Sequence, residues 1–440
     1  MSCNLTRRAL LGGTFAAGGA LFGRPVRAAA AAKAGRFFAQ PDLDFSVSFA
    51  IGESAYGASE TGEVLAAIDR INAAGASYQT YVDEFRSLAR RLSAESDAAL
   101  HKGHRATARA ASLRASHSFK QALYFVLGTS KPDDEAVLYR ETETQWARAA
   151  SLLDPPFERV EIPYEGSSLP AYFRRAGEKR PSIILNNGSD AQNIDLWAYG
   201  AAAAHDRGYN VLIFEGPGQG AMLFERRIVF RPDWERVLTP VVDFLVRRND
   251  VDAKRIGVIG WSMGGALVAR AAAFEPRIAA VCCDPGVGDA WDSFPEILRH
   301  IADAGDAATV NQIWRTQVIR DLSPAERFTI MKRCSMFSPK FHEAALRGEV
   351  SDDFDSLAKA VQRFKSLDVM DRIRAPLLVT SYENEHTNPP GTAQRVFDAA
   401  RAPKKFLAFT AAEGAGEHDA PFAPQRRNAA ILDWFDETLG

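Results

Sequence analysis

The chain has 440 residues, of which 46% are hydrophobic and 25% are charged, and its formal net charge is -2. These values are ordinary for a soluble globular enzyme with one large domain and an accessory one. They exclude the strongly basic character typical of nucleic-acid-binding proteins. We therefore expect a small-molecule substrate and no nucleic acid as partner, and the composition leaves a homodimer open.

The N-terminus predicts an export signal. Arg7 and Arg8 precede a Gly/Ala-rich apolar stretch that reaches Phe22, and small residues follow at positions 28–32. This order is typical of a secretion signal, and the paired arginines favour its twin-arginine form. Residues 1–30 are thus predicted to be the twin-arginine signal peptide of a periplasmic or secreted protein, with a frayed N-terminal helix as the alternative. The stretch is too short and too rich in glycine to predict a stable membrane span.

Residues 31–153 predict a helical N-terminal domain. Apolar side chains recur here at the spacing of one helical face, and the segment contains no convincing strand pattern. The predicted helices are Thr61–Ala73, Tyr78–Leu92, Ala98–Leu127 and Asp133–Leu153.

From residue 154 onward, short β-branched and aromatic runs alternate with helical segments, which predicts a mainly parallel sheet with helices on its faces. The later runs are nearly continuous and apolar, as expected for strands covered on both sides. The predicted strands are Phe157–Tyr164, Leu169–Arg174, Ser182–Asn186, Asn210–Phe214, Arg255–Ile259, Ile278–Cys283, Pro376–Ser381 and Lys405–Thr410. Eight strands with a hairpin-like first pair match the α/β-hydrolase fold, whose core would occupy residues 154–284 and 372–440.

Residues 285–371 interrupt this alternation with helical pattern only. The segment is rich in aromatic and methionine side chains. An insertion after the sixth strand would lie over the carboxyl ends of the strands, where open α/β sheets bind ligands. We interpret it as a helical lid, with most of its aromatic side chains filling its own core.

The candidate nucleophile is Ser262. It lies in the sequence Gly-Trp-Ser-Met-Gly-Gly at 260–265, between a predicted strand and an apolar helix. This is the pattern of a nucleophile elbow, a turn so tight that the residues flanking the serine must be small. The turn exposes Oγ and directs it at the amino end of a helix, whose N–H groups favour developing negative charge.

A serine needs a base, and His418 is the candidate. It follows the last predicted strand within Glu-Gly-Ala-Gly-Glu-His at 413–418, where this fold places its histidine in the chain order Ser, acid, His. The glycines allow a loop to bring the imidazole over the serine. His386 is the second candidate.

Three carboxylates could complete the triad by orienting the imidazole. Glu385 follows the strand at 376–381 and occupies the position where related proteins usually have Asp. Asp284, directly after the sixth strand, and Glu383 are the alternatives.

An oxyanion hole requires two backbone donors. We expect one from Met263, directly after the nucleophile, and the other from Gly188 or Ser189, after the third strand. The Gly-rich segment at 214–220 lacks a phosphate-loop lysine, and His101 and His104 have no evident third ligand, so we predict neither a cofactor nor a metal.

Together these motifs resemble one branch of the α/β-hydrolase superfamily, which includes bacterial 2,6-dihydroxypseudooxynicotine hydrolase and fungal pigment-pathway hydrolases. The resemblance rests on Lys-Gly-His-Arg at 102–105, Leu-Arg-Ala-Ser at 113–116, Phe-Glu-Gly-Pro-Gly-Gln-Gly at 214–220, the elbow, and Gly-Ala-Gly-Glu-His at 414–418. It implies cleavage of a carbon–carbon bond beside a ketone, or of an ester, by the same triad. Two features depart from the branch, namely Glu385 in place of Asp and the loop after the third strand.

The sequence favours a serine esterase that acts on a small, largely apolar or aromatic substrate through an acyl-enzyme. A β-diketone hydrolase that uses the same triad is the alternative. A peptidase and a non-catalytic binding protein that has kept the fold are further options.

Overall fold

The computed structural model describes residues 35–440. The predicted signal peptide at 1–30 lies outside these residues and stays a prediction. Among the described helices, none is both long enough and apolar enough to cross a membrane.

The N-terminal region is helical, as the apolar spacing predicts. The helices are α1 (Pro41–Gly52), α2 (Thr61–Ala73), α3 (Tyr78–His101), α4 (Arg105–Phe125) and α5 (Glu135–Ser151). The break predicted between Leu92 and Ala98 lies later in the structure, at Gly103, whose φ of +73° ends α3 before α4 begins. The helix α1 was not predicted.

The remaining chain forms an eight-stranded sheet with helices on both faces. Its strands are β1 (Glu158–Tyr164), β2 (Ser167–Arg174), β3 (Arg180–Asn186), β4 (Asn210–Phe214), β5 (Val251–Trp261), β6 (Ala280–Asp284), β7 (Leu377–Tyr382) and β8 (Lys404–Phe409). Their order is β1-β2-β4-β3-β5-β6-β7-β8, and only the β1–β2 and β2–β4 pairs are antiparallel. The predicted α/β-hydrolase fold is confirmed.

The helices between the strands are mostly short. They are α6 (Asn193–Leu196), α7 (Ala202–Asp206), α8 (Gly220–Phe224), α9 (Glu235–Val246), α10 (Gly264–Ala272), α16 (Thr392–Ala399) and α17 (Pro424–Leu439), with α11 to α15 inserted after β6. Alternate strand residues enter two separate cores. Ile184 and Val258 pack with one cluster, whereas Ile183 and Ile259 pack with the other, so both faces of the sheet are covered.

The insertion between β6 and β7 is built from α11 (Glu296–Ala302), α12 (Ala307–Ile313), α13 (Pro324–Ser335), α14 (Pro339–Ala345) and α15 (Phe354–Val361). It packs against the N-terminal helices. The rings of Phe328 and Tyr78 lie 4.5 Å apart between centroids. His342 Nε2 lies 2.8 Å from the buried carboxylate of Glu135. Two helical regions that are distant in sequence therefore share one interface above the sheet.

A pair of buried carboxyls joins the N-terminal helices to the sheet. Glu143 of α5 accepts a hydrogen bond from Tyr172 of β2, and Glu215, after β4, accepts one from Tyr139 at 2.8 Å. Asn193 donates to both carboxyls, at 3.1 and 3.0 Å. Burial and the charge of Glu215 raise the pKa of Glu143 to about 8. Near neutral pH this interface therefore holds a proton that the unfolded chain releases.

We expect alkaline pH to weaken this interface. The pKa of Glu143 is higher in the folded chain than its ordinary 4.5. Its contribution is therefore complete below pH 4.5 and is lost as pH rises through about 8, with a slope of about 1.4 kcal/mol per pH unit. Urea midpoints between pH 5 and 9 should fall more steeply for the parent protein than for Glu143→Gln. Glu161→Gln, an exposed charge on β1, should keep the parental slope, and equal slopes for all three proteins would contradict the assignment.

Candidate active site

Ser262 occupies the sharp turn between β5 and α10. Its φ of +55° places it in the left-handed region, which costs energy for a residue with a side chain. The neighbouring glycines are required by packing. A Cβ on Gly260 would lie 2.1 Å from the carbonyl oxygen of Gly264, and one on Gly264 would lie 2.7 Å from that of Asn186. The local sequence therefore allows the elbow and leaves the serine side chain at its apex.

The imidazole of His418 lies between the serine and a carboxylate. Its Nε2 is 3.0 Å from Ser262 Oγ, and its Nδ1 is 2.7 Å from Glu385 Oε2. His418 is buried, with 4% of its surface exposed. The structure thus brings together the residues predicted as nucleophile, base and first-choice acid.

Backbone contacts hold the Glu385 carboxylate in place. Its Oε1 accepts from the amides of Thr387, at 2.7 Å, and Asn388, at 3.1 Å. Burial raises the pKa of Glu385, but the charge of His418 outweighs burial and lowers it to about 2. Glu385 is therefore ionised across the neutral range and can hold the Nδ1 proton of the imidazole.

The alternative acids lie elsewhere. Asp284 accepts from Arg427 Nε at 2.6 Å and from the Tyr382 hydroxyl at 2.7 Å, and all three side chains are buried. Glu383 accepts from the Ala411 amide at 2.7 Å. Neither carboxylate contacts His418, because the first is held by Arg427 and the second is held by the loop after β8.

His386, the second candidate for the base, lies beside the triad without entering it. The centroids of the His386 and His418 rings are 6.4 Å apart. The His386 ring instead packs edge-on against Phe45 of α1, with centroids 4.9 Å apart.

The candidate oxyanion amides converge on the elbow. A Cβ on Gly188 would lie 2.5 Å from the carbonyl oxygen of Trp261 and 3.1 Å from the Met263 amide nitrogen, so only glycine allows this approach. Gln219, in the Gly-rich segment, donates to the carbonyls of Asn187 and Gly188 at 2.7 and 3.0 Å. The hydroxyl of Ser189 instead faces Asp190 at 3.2 Å. The loop with Gly188 and Ser189 therefore lies against the turn that carries the Met263 amide, and both of its residues stay candidates for the second donor.

A cavity opens in front of Ser262 and receives side chains from three parts of the chain. The N-terminal helices, the insertion and the loops at the carboxyl ends of the strands all contribute. The residues that line it outside the triad and the oxyanion loop include Phe45, Phe49, Lys120, Tyr124, Phe294, Arg333, Met336, Phe337, Asn388 and Asp419. The aromatic side chains suit an apolar ligand, but the wall also carries charge.

The charged wall residues were not predicted. Arg333 of α13 pairs with Asp190 of the oxyanion loop, and its Nη2 lies 3.4 Å from the Tyr124 hydroxyl. Lys120 Nζ of α4 lies 3.0 Å from Asp195. Their partners lie far away in sequence, so no local pattern could have revealed them.

Asp419 was also missed. Its Oδ2 lies 3.2 Å from Nε2 of His418, the nitrogen that faces Ser262. The residue is buried, with 4% of its surface exposed, and it lines the cavity. Its position directly after the candidate histidine was the only signal that the sequence offered.

One cluster of potential metal ligands lies behind the cavity. Ligand atoms of Glu53, His117 and Asp195 all fall within 4.8 Å of one another. Lys120 provides positive charge there through its ion pair with Asp195. Burial lowers the pKa of His117 to about 3, so the imidazole is neutral and donates to Glu53 at 2.7 Å. The group forms an internal polar network that supports the cavity wall.

The fold and the elbow define an α/β hydrolase, and comparison with known families agrees. Residues 191–433 match the alpha/beta hydrolase family. The chain therefore belongs to this family.

Curated relatives include fungal hydrolases. The chain is 34% identical over 273 residues to hydrolase ORFZ of Pyricularia oryzae, and this match covers 58% of this chain and 63% of that protein. It is 31% identical over 263 residues to 20-hydroxy-prefusarin hydrolase FUS2 of Gibberella moniliformis, which covers 57% of this chain and 62% of the relative. The match thus spans less than two thirds of the length of these relatives.

Solved structures share the fold over a longer span. The crystal structure of 2,6-dihydroxy-pseudo-oxynicotine hydrolase superposes with a TM-score of 0.65 at 20% identity, over 88% of this chain and 95% of that chain. The superposition includes most of the helical N-terminal region as well as the sheet.

The buried pair of Asp284 and Arg427 should dominate the stability of the site. We expect Arg427→Met to lower the free energy of unfolding by about 3–5 kcal/mol, because it leaves Asp284 charged, buried and without its cation. Arg426→Met is the matched control, since Arg426 is 43% exposed and pairs with Glu413 at the surface. The control should cost less than about 1 kcal/mol in urea denaturation. Equal losses for the two variants would contradict this assignment.

Proposed function

We propose that the protein is a serine hydrolase that transfers an acyl group from a small substrate to water through Ser262. The observation that carries this proposal is the continuous line of contacts from Ser262 Oγ to His418 and on to Glu385, at 3.0 and 2.7 Å. This line faces a cavity. Nucleophile, base and orienting acid at hydrogen-bonding distance are what acyl transfer requires.

In the proposed reaction, Ser262 Oγ attacks the substrate carbonyl while His418 Nε2 takes the serine proton. The charge that develops on the carbonyl oxygen is stabilised by the amide of Met263 and by that of Gly188 or Ser189. Glu385 keeps the proton of the imidazole on Nδ1 and stabilises the imidazolium. The bond to the leaving group then breaks, and the leaving group departs with a proton, which leaves His418 neutral again. Water attacks the acyl-enzyme, His418 takes a proton from this water, and the proton returns to Ser262 Oγ as the acid product departs.

The substrate that we propose first is a carboxylic ester with an aromatic part and one polar end. Phe45, Phe49 and Phe294 provide flat apolar surface, whereas Lys120 and Arg333 lie on the wall contributed by α4 and α13. Because each cation already has a carboxylate partner, a carbonyl or hydroxyl group suits this wall better than a second anion.

A β-diketone, cleaved at a carbon–carbon bond, is the second candidate. The resemblance to the 2,6-dihydroxypseudooxynicotine hydrolase branch favours it. Asp419 also supports it, since a carboxyl beside His418 Nε2 is in a position to supply a proton to a carbon leaving group.

A fluorophosphonate probe tests the nucleophile. We expect the parent protein to be labelled and Ser262→Ala to remain unlabelled, because the probe captures a serine that a base activates. Ser293→Ala is the control, since Ser293 lines the same cavity without contacting His418. Failure of the parent to react would favour a non-catalytic binding protein.

Bond type is tested with p-nitrophenyl esters of aromatic acids beside aryl 1,3-diketones. Turnover of the esters, lost in Ser262→Ala, is the expected result. Both reactions would use Ser262, so the substrate that is turned over distinguishes them. Turnover of the diketones alone would contradict the ester proposal and support the second candidate.

Two carboxylates in one loop provide a matched test of the acid. Glu385→Gln should lower kcat by about 10²–10⁴-fold, because the amide no longer stabilises the imidazolium. Glu383→Gln, two residues earlier, should stay within about threefold of the parent, since its contact with Ala411 lies outside the triad. Similar losses in the two variants would rule out the proposed role of Glu385.

A further inference from the structure

His418 has a carboxylate at each ring nitrogen. Glu385 Oε2 lies 2.7 Å from Nδ1, as the triad requires. Asp419 Oδ2 lies 3.2 Å from Nε2, while Ser262 Oγ lies 3.0 Å from the same nitrogen. The nucleophile and a second carboxylate therefore share one side of the base.

The backbone holds Asp419 in an unfavourable conformation. Its φ is +64° and that of Ala420 is +51°, so two successive residues with side chains are left-handed. Such residues are strained and persist where the surrounding structure enforces them. Here the amide of Ala420 donates to Glu417 at 2.8 Å and that of Ala423 donates to Ala420 at 2.9 Å. This loop geometry aims the Asp419 carboxylate at the cavity.

One oxygen of this carboxylate is unused. Asp419 Oδ1 is buried and has no hydrogen-bond partner among the described residues. Buried polar atoms in native proteins are nearly always paired, and an unpaired one requires an explanation. Because Asp419 lines the cavity in front of Ser262, a group of the substrate is the partner that fits.

Burial favours a proton on this carboxyl. Burial raises the pKa of Asp419 to about 6, the charges of Asp284 and His418 act in opposite directions on it, and Arg427 lowers it. Burial lowers the pKa of His418, but the charges of Asp419 and Glu385 outweigh burial and hold it well above its ordinary value. His386 and Tyr382 are further titratable groups that face His418, with ring centroids 6.4 and 6.3 Å from its own. Asp419 and His418 thus compete for one proton between them.

Substrate binding determines which of the two side chains holds the proton. With the cavity open to water, charge separation between the imidazolium and the carboxylate is tolerated, and Nε2 cannot then take the proton of Ser262. A substrate that fills the cavity removes water, and a neutral hydrogen-bonded pair is favoured over buried charges. The proton then moves to Asp419, and His418 becomes a free base.

We propose that Asp419 is the acid that protonates the leaving group. This inference rests on the proposed acyl transfer and names a residue that the triad does not include. It also deepens the substrate class, because an acid is needed for groups that cannot depart as stable anions, such as aliphatic alkoxides or the carbon of a β-diketone.

The protons balance over one cycle. Ser262 Oγ bonds to the carbonyl carbon as its proton moves to His418 Nε2. The bond between the carbonyl carbon and the leaving group breaks, and the leaving group keeps the electron pair and takes the proton of Asp419. The carboxylate then recovers a proton from Nε2, 3.2 Å away. Neutral His418 next takes a proton from the attacking water and returns it to Ser262, so one water is consumed.

The test compares leaving groups at a constant acyl group. In Asp419→Asn, kcat/KM for a p-nitrophenyl ester should stay within about fivefold of the parent, because this leaving group departs as an anion. For the ethyl ester of the same acid, kcat/KM should fall by about 100-fold or more. Asparagine suits the test because it tolerates the left-handed backbone. Glu417→Gln, two residues earlier, should change neither rate.

A pH profile separates this role from a structural one. For the ethyl ester, the parent should lose activity at alkaline pH, well above 6.5, where the pair gives up its shared proton. This alkaline descent should be absent with the p-nitrophenyl ester and absent in Asp419→Asn. Equal losses for both esters, with the descent unchanged, would overturn the proposal.

Fluorophosphonate labelling keeps the outcomes distinct. If Asp419→Asn is labelled but loses kcat/KM equally for both esters, the role of Asp419 is refuted and the proposed serine hydrolase function stands. If the parent protein is not labelled, the proposed function itself is refuted. If Asp419→Asn is not labelled although the parent is, the two esters are compared again in Asp419→Gly, because glycine suits a φ of +64°. A larger fall in kcat/KM for the ethyl ester than for the p-nitrophenyl ester then supports the proposal, and equal falls refute it.

Discussion

The ion pair between Asp284 and Arg427 is the constraint on which the geometry of the site depends. Asp284 ends β6, and its carbonyl accepts the Ser262 amide at 2.7 Å, which fixes the elbow. Its carboxylate accepts from Tyr382 at the end of β7, the strand that precedes Glu385. Arg427 lies in α17, shortly after His418, and also donates to the Tyr199 carbonyl at 2.8 Å. Nucleophile, acid and base are therefore positioned relative to one buried charge pair, and a pair without access to water tolerates little displacement.

The two helical regions decide what reaches this site. The triad lies at the carboxyl edge of the sheet, whereas Phe49 and Lys120 come from the N-terminal helices and Arg333 comes from the insertion. These regions are held together by aromatic packing and by the contact of His342 with Glu135. Because the chemistry and the cavity walls belong to different segments, the same triad can serve different substrates as the helices vary.

The sequence predicted what local pattern encodes. The elbow, the strands and helix α2 all follow from residue spacing and from glycines that only one geometry allows. Helix α1 was missed although Leu43 and Val47 have helical spacing, because apolar side chains also lie on its other side, where Phe45 and Phe49 face the cavity. The partner of Lys120 lies 75 positions away. Asp284 is not the acid because it is held by Arg427, 143 positions away, so neither contact could be predicted from neighbouring residues.

The position of His418 between two carboxylates links stability to chemistry. Glu385 stabilises the imidazolium from Nδ1, as in any triad, but a second negative charge at Nε2 would hold the proton that the base must be free to accept. A fold optimised for stability alone would place a neutral side chain there. Asp419 is buried, its backbone is in the left-handed region, and one of its two carboxylate oxygens has no hydrogen-bond partner among the described residues. A local conflict of this kind, at the mouth of a cavity and one residue from the base, is where proteins trade stability for function. The strained segment from Asp419 to Ala420 therefore belongs to the reaction as much as the elbow does.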